Sequence, residues 1–214
     1  MIRVLIVEDE GLFRDMLKIS PSAIPNLEVV DAVSDGKTAI DAAQRLLPDV
    51  VLMDIELGSE PNGIAAGRAI KHAHDDTGMV VLSAHKEREY VDLVSKEDYA
   101  GWSYLLKQSV SDAGALVRAI EGSASGLVVM DPWVVSSMRP RKGSLTARLT
   151  PRQQEVLAMM AQGYNNAAIA EKLVLGANSV ENYINAIYQE LSLSHNGPLH
   201  PRAQAVLSYI RDSD

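Results

Sequence analysis

"DVVLMDIELG", residues 49–58, holds an unbroken apolar run, Val50 to Met53, that stops at a carboxylate, Asp54. A short run rich in β-branched residues, with no polar alternation, reads as a strand buried on both faces, as in a parallel sheet covered by helices. A strand of that kind ending in a charge asks what the charge is for.

Four more runs of the same character lie around it: "RVLIV" (3–7), "LEVVDAV" (27–33), "MVVLS" (79–83) and "SYLLK" (103–107). Helix-period segments separate and follow them at Leu12 to Ile19, Thr38 to Leu47, Ile64 to Ala73, Tyr90 to Lys96 and Val110 to Ile120. Five strand-helix units with right-handed crossovers predict an α/β doubly wound sheet of five parallel strands. Polar chemistry in such sheets collects beyond the carboxyl ends of the strands, where strand order reverses. The first strand ends in Glu8 and Asp9, the third in Asp54, the fourth in Ser83 and the fifth in Lys107, so these side chains converge on one edge.

Carboxylates gathered so closely repel one another and are tolerated together when a cation sits among them. Oxygen ligands alone point to Mg²⁺, which keeps waters and an open position for a phosphoryl group. Lys107 adds a compact positive charge for phosphoryl oxygens and Ser83 a hydroxyl donor. Carboxylate, metal, lysine and hydroxyl together indicate phosphoryl transfer to an aspartate. A lone strand-end Asp is more often a helix N-cap; four strand ends carrying compatible chemistry favour the site.

The 214 residues, 47% of them hydrophobic, suit one large domain or two small ones with real cores. No apolar run approaches the roughly 20 residues that span a membrane, and "MIRVLIVED" runs into acidic residues instead of a signal-peptide cleavage site, so a cytoplasmic protein without membrane contact is expected. The absence of cysteine excludes disulfides, thiolate metal sites and thiol nucleophiles. Residues 1–122 carry 12 Lys+Arg against 21 Asp+Glu, residues 123–148 carry 4 against 1, and residues 149–214 carry 4 against 6. The basic middle segment, with "EGSASG" before it and "RPRKGS" within it, has a linker's composition.

Residues 149–214 follow a second pattern. "LTPRQQEVLAMMAQGY" opens with a Thr150 cap and Pro151 and repeats apolar residues at Val156, Leu157, Met160 and Ala161 until Gly163 stops it. Asn165 or Asn166 caps a short second helix; after the turn "LGAN", "SVENYINAIYQEL" sets Val180, Ile184, Ile187 and Leu191 on one face. Two short helices joined tightly form a helix-turn-helix, and a last helix spans about Arg202 to Arg211.

"VLIVEDE", "VVLMDI", "VVLSAH" and "YLLK" together resemble the receiver domain of two-component response regulators, and "LTPRQQEVL", "AQGYNNAAIAEKL" and "SVENYINAIYQEL" resemble the LuxR/NarL-type DNA-binding domain. The resemblance implies a flavodoxin-like receiver with strand order 2-1-3-4-5 over residues 1–122, a linker over 123–148 and a LuxR-type helix-turn-helix domain over 149–214. It further implies that Asp54 accepts phosphate from a sensor histidine kinase. Asp9 and Asp54 would then bind Mg²⁺ directly, Glu8 through water, and Glu56 through its backbone carbonyl. Ser83 and Lys107 would contact the phosphoryl group, and Tyr104 would be the aromatic switch. The recognition helix would be Ser179 to Leu191, with Asn178, Asn182 and Asn185 reading bases and Ser179, Tyr183 and Lys172 completing the DNA-binding set.

The chain departs from the pattern at several positions. Leu57 and Gly58 replace a Met-Pro pair, Gly63 falls one residue late, and Gln108 stands where many receivers carry proline, so a cis peptide after Lys107 is not assumed. Glu56 and His85 each lie two residues past a site residue and are expected to tune the lifetime of the acyl phosphate by guiding or excluding water. In the recognition helix Glu181 and Glu190 stand where relatives carry bases, and Tyr183 replaces a histidine. Because DNA affinity comes largely from neutralised phosphates, compensation is expected from Arg152, Lys172, Arg139, Arg141, Lys142 and Arg148, or from dimerisation.

The expectation is a regulator, not an enzyme, that binds double-stranded promoter DNA and forms a homodimer when phosphorylated. In that state Ser83 and Tyr104 turn inward. The alternative is a phospho-switched protein-interaction regulator whose acidic recognition helix binds DNA weakly or not at all. A phosphohydrolase built on the same aspartyl-phosphate site is disfavoured by the lack of a cap domain or a further acid/base beside Asp54.

Overall fold

Five parallel strands form one sheet in the order β2-β1-β3-β4-β5: β1 Ile2–Val7, β2 Leu27–Val33, β3 Val50–Asp54, β4 Gly78–Ser83 and β5 Trp102–Leu106. The computed structural model describes residues 1–22, 25–84, 102–193 and 199–213, and of residues 19–22 the backbone alone. The expected helix at Tyr90 to Lys96, the residues Lys86 to Glu89 and His85 lie outside the described residues.

The continuous apolar reading of the strands holds because both faces are covered. Val50, Val51, Leu52 and Met53 are all fully buried, and alternate residues of the central strands enter two separate cores. Register keeps the carboxyl ends level: Val7 pairs with Met53, Asp54 with Leu82, and Ser83 with Leu106. Glu8, Asp54, Ser83 and Lys107 therefore emerge along one edge.

Around the sheet lie α1 Gly11–Ser22, α2 Gly36–Leu46, α3 Gly63–Ala73 and α4 Ala113–Ala124. Asp35 and Asn62 cap α2 and α3 by accepting from the N–H groups of Thr38 and Ala65. The expected helix from Val110 begins later. Lys107–Ser111 is a 3-10 turn, and Asp112 caps α4 through the N–H of Gly114, so Val110 packs from the turn instead.

Residues 123–148 are ordered structure. α4 runs on to Ala124, α5 spans Pro132–Ser137, and Thr146–Arg148 form a 3-10 turn. Met130 pairs in parallel with Tyr104, and Pro140 pairs with Ser213. The bonds that hold the segment go to residues distant in sequence, which composition does not reveal.

The C-terminal helices are α6 Pro151–Ala161, α7 Asn166–Leu173, α8 Ala177–Glu190 and α9 Pro201–Arg211. Thr150 and Gln153 form a reciprocal capping box at α6, and Gly163 follows it at φ 79°, a left-handed conformation that suits glycine. Asn165 is the cap of α7. The recognition helix starts two residues before the expected Ser179, since Gly176 is its N-cap, and it ends at Glu190 with Leu191 as C-cap. The turn is therefore Val174–Gly176, with Val174 left-handed at φ 54°. α9 starts at Pro201, capped by His200. Val180, Ile184, Ile187 and Leu191 are buried, as their spacing predicts.

Candidate functional site

At the carboxyl edge of the sheet, ligand oxygens of Glu8, Asp9 and Asp54 lie within 4.8 Å of one another. Glu8 and Asp54 are buried, and Asp9 is exposed at the rim. Lys107 reaches in from the end of β5: its Nζ donates to Glu8 Oε1 at 2.8 Å and to Asp54 Oδ2 at 3.0 Å. Asp54 Oδ1 accepts the backbone N–H of Glu56 at 3.1 Å, and Asp9 Oδ2 that of Gly58 at 3.0 Å. The β3–α3 loop thus folds back over the carboxylates. Ser83 is fully buried beside them at the end of β4.

Burial pushes the Glu8 carboxyl above its ordinary range, against the Lys107 hydrogen bond, and the Asp54 charge pushes the same way. Burial opposes the Lys107 ammonium, but hydrogen bonds and attraction from Glu8 and Asp54 outweigh it, and its pKa is raised. Glu8 Oε2 is buried and has no hydrogen-bond partner among the described residues. A buried carboxylate oxygen left in that state is costly, and the three carboxylates of Glu8, Asp9 and Asp54 fit a hard divalent cation with water in its shell.

Two contributors escaped sequence reading. Phe13 places its ring 5.1 Å from Lys107 Nζ, a cation–π contact. Arg14 donates from Nη1 to the backbone oxygens of Glu8 at 2.7 Å and Asp9 at 3.2 Å, pinning the β1–α1 loop. Their only sequence signal was position in the first turn after the acidic pair. Gly63 falls one residue late in the pattern, and the structure gives the reason a glycine stands there: a Cβ would lie 1.8 Å from the Asp54 backbone oxygen. The sole cis peptide among the described residues precedes Pro61, so the bond after Lys107 is trans.

Tyr104 is fully buried. Its backbone N–H donates to Val129 O at 2.8 Å, and Met130 packs in the same core. Glu56 is exposed at the mouth of the pocket.

On α8, Asn178, Glu181, Asn182 and Asn185 are exposed at helical spacing opposite the buried stripe, while Ser179 and Tyr183 are half-buried. Ser179, Asn182 and Tyr183 line a groove with Thr150, Gln153 and Ala186. Four of the expected supplementary cations, Arg152, Lys172, Arg139 and Arg141, are engaged within the molecule. Arg152 pairs with Glu155 and donates to Leu173 O. Lys172 lies 4.9 Å over the Tyr164 ring, whose other contact is the Arg118 guanidinium at 4.3 Å. Arg139 donates to Ser136 and Met138 oxygens, and Arg141 to Arg211 O.

No described helix is long and apolar enough to cross a membrane. Residues 4–121 match the response regulator receiver domain family, and residues 147–207 match the LuxR family of bacterial regulatory proteins. The chain is 31% identical over 232 residues to the transcriptional regulatory protein DegU of Brevibacillus brevis, covering 99% of this chain and 94% of that one. It is 31% identical over 200 residues to the transcriptional regulatory protein LiaR of Bacillus subtilis, with 91% and 92% covered. A LuxR-family two-component response regulator from Aurantimonas superposes at a TM-score of 0.57 and 27% identity, over 64% of this chain and 94% of that one. The RcsB response regulator of Salmonella typhimurium shares the fold over 99% of both chains, at a TM-score of 0.54 and 21% identity.

Proposed function

This chain belongs to the response regulators, with a receiver domain joined to a LuxR-family domain, and on that premise we propose that Asp54 takes a phosphoryl group from a sensor kinase histidine and thereby controls promoter binding. The observation that carries this reading is Lys107 held between Glu8 and Asp54 beside a buried Glu8 oxygen that has no partner among the described residues. Residues 1–122 are assigned as the receiver, 123–148 as the linker and 149–214 as the DNA-binding domain.

In the transfer, an Asp54 carboxylate oxygen attacks phosphorus as the P–N bond of phosphohistidine breaks; the electron pair stays on the imidazole, which takes up a proton. Asp9, Asp54 and the Glu56 carbonyl would hold Mg²⁺, with Glu8 reaching it through water, and the bound ion would supply the positive charge that offsets the phosphoryl oxygens. Lys107 moves its hydrogen bonds from the carboxylates to the phosphoryl oxygens, and Ser83 donates its hydroxyl. Arg14 holds the loop of Glu8 and Asp9 still, and Phe13 borders the lysine.

The reader is α8, with Asn178, Asn182 and Asn185 facing base edges and Ser179, Tyr183 and Lys172 facing the backbone. Phosphorylation favours a homodimer whose two reading heads match a palindromic site. A regulator reading chromosomal DNA works in the cytoplasm and turns over no substrate of its own. The engaged state of Arg152 and Lys172, and the acidic Glu181, favour one second reading: a partner protein on the α8 face.

A mobility-shift assay on the chain's own promoter at fixed salt, with Mg²⁺ and with or without beryllium fluoride, tests the proposal. Tighter or more dimeric binding in the loaded state is expected for wild type and not for Asp54→Asn. Equal affinity in both states refutes the coupling; no binding in either supports the protein partner.

A further inference from the structure

Asp131 is a fully buried acid on the linker, and both of its carboxyl oxygens are used. Oδ1 accepts the N–H of Trp133 at 2.8 Å, capping α5. Oδ2 accepts the N–H of Leu106 at 3.0 Å. Leu106 is the last residue of β5, directly before Lys107. A helix cap explains the first bond and leaves both the second and the burial unexplained.

The neighbouring bonds extend the same connection. Tyr104 N–H donates to Val129 O at 2.8 Å, and Val129 N–H to Ser103 Oγ at 2.9 Å. On its other side the linker donates from Met130 N–H to Ala161 O at 2.7 Å, the end of α6. Val129 also closes on Gly163, where a Cβ would meet its methyls at 3.0 and 3.1 Å. The strand that carries Lys107 is thus laddered to residues 129–131, and these are bonded to the first helix of the C-terminal domain.

We propose that Asp131 is a positioning residue for Lys107 and the clasp through which the state of the phosphoacceptor pocket reaches the linker and α6. This rests on the phosphoacceptor reading of Asp54. With the pocket unloaded, Lys107 spans Glu8 and Asp54. A phosphoryl group on Asp54 draws Lys107 toward new oxygens and pulls on the end of β5. Leu106 cannot follow without moving or releasing Asp131, and packed cores answer such pulls by switching between arrangements instead of deforming smoothly.

The test is hydrogen exchange by mass spectrometry on the full chain, with Mg²⁺ and beryllium fluoride as the acyl-phosphate mimic. In wild type, loading changes exchange in segment 50–58 and also in segment 128–137. Asp131→Ser keeps a good cap for Trp133 but lacks the second oxygen that holds Leu106. It is expected to keep the response at 50–58 and lose the one at 128–137. Asp112→Ala removes a different helix cap, the one at α4, and is expected to keep both responses.

A linker that stays silent in wild type while 50–58 responds overturns the clasp, as does a full linker response in Asp131→Ser or an equal loss in Asp112→Ala. No response at 50–58 in wild type removes the phosphoacceptor reading, and the clasp with it.

Discussion

Lys107, at the end of β5, reaches across the pocket to the end of β1, donating to Glu8 at 2.8 Å while also holding Asp54. Deleting one member of a buried ion cluster strands the others, at a cost on the order of 3 kcal/mol. Lys107→Ala is therefore expected to lose about that much in urea unfolding with EDTA present, and to recover part of it in Mg²⁺, which replaces the missing charge. A deficit identical with and without Mg²⁺ would mean that the carboxylates do not share a metal site.

Gly63 sits where no side chain fits, against the Asp54 backbone oxygen and the Cα of Ile55. Gly63→Ala forces the β3–α3 loop away from Asp54, and overpacking of this kind costs about 1–3 kcal/mol. Loss of stability should come with slower Mg²⁺-dependent phosphorylation in stopped-flow measurements. Wild-type kinetics in a destabilised protein would separate the loop from the site.

Asp35 caps α2 through both the N–H and the hydroxyl of Thr38. Asp35→Ala is expected to cost about 1 kcal/mol near neutral pH. These hydrogen bonds hold the Asp35 carboxyl below the usual aspartate range. Its contribution is thus present above the unfolded-state pKa and fades as pH falls through the lower folded value. The gap between variant and wild type should close only in strong acid; a gap that closes between neutral and mildly acidic pH contradicts the capping role.

The exposed face of α8 carries asparagines and Glu181 and neither lysine nor arginine. Guanine is read mainly by Arg or Lys and adenine by Asn or Gln, so modification interference should mark adenines in the bound half-site more than guanine N7. Glu181→Lys should tighten binding and steepen the log–log salt slope by roughly 0.9 for each phosphate gained. An unchanged slope would place this helix away from the duplex.

Much of this was legible in the residues. Continuous runs such as Val50 to Met53 gave the parallel strands, and their terminal residues gave Glu8, Asp9, Asp54, Ser83 and Lys107 before any geometry was known. Thr150-Pro151 and the spacing of Val180, Ile184 and Ile187 placed α6 and α8. What escaped depends on partners far along the chain. Phe13 matters through Lys107, Arg14 through backbone oxygens, and Asp131 through Leu106, none of which local periodicity reveals. The bonds that tie residues 129–131 to β5 and α6 are absent from the linker's composition for the same reason. The late start of α4 follows from a competition between Val110 periodicity and the Asp112 cap, which the cap wins.

The most direct test is intact-mass spectrometry of the full chain incubated with a small-molecule phosphodonor. One phosphoryl group is predicted on wild type in Mg²⁺, with none in EDTA and none on Asp54→Asn. Equal uptake by Asp54→Asn, or uptake indifferent to the divalent cation, would contradict the account.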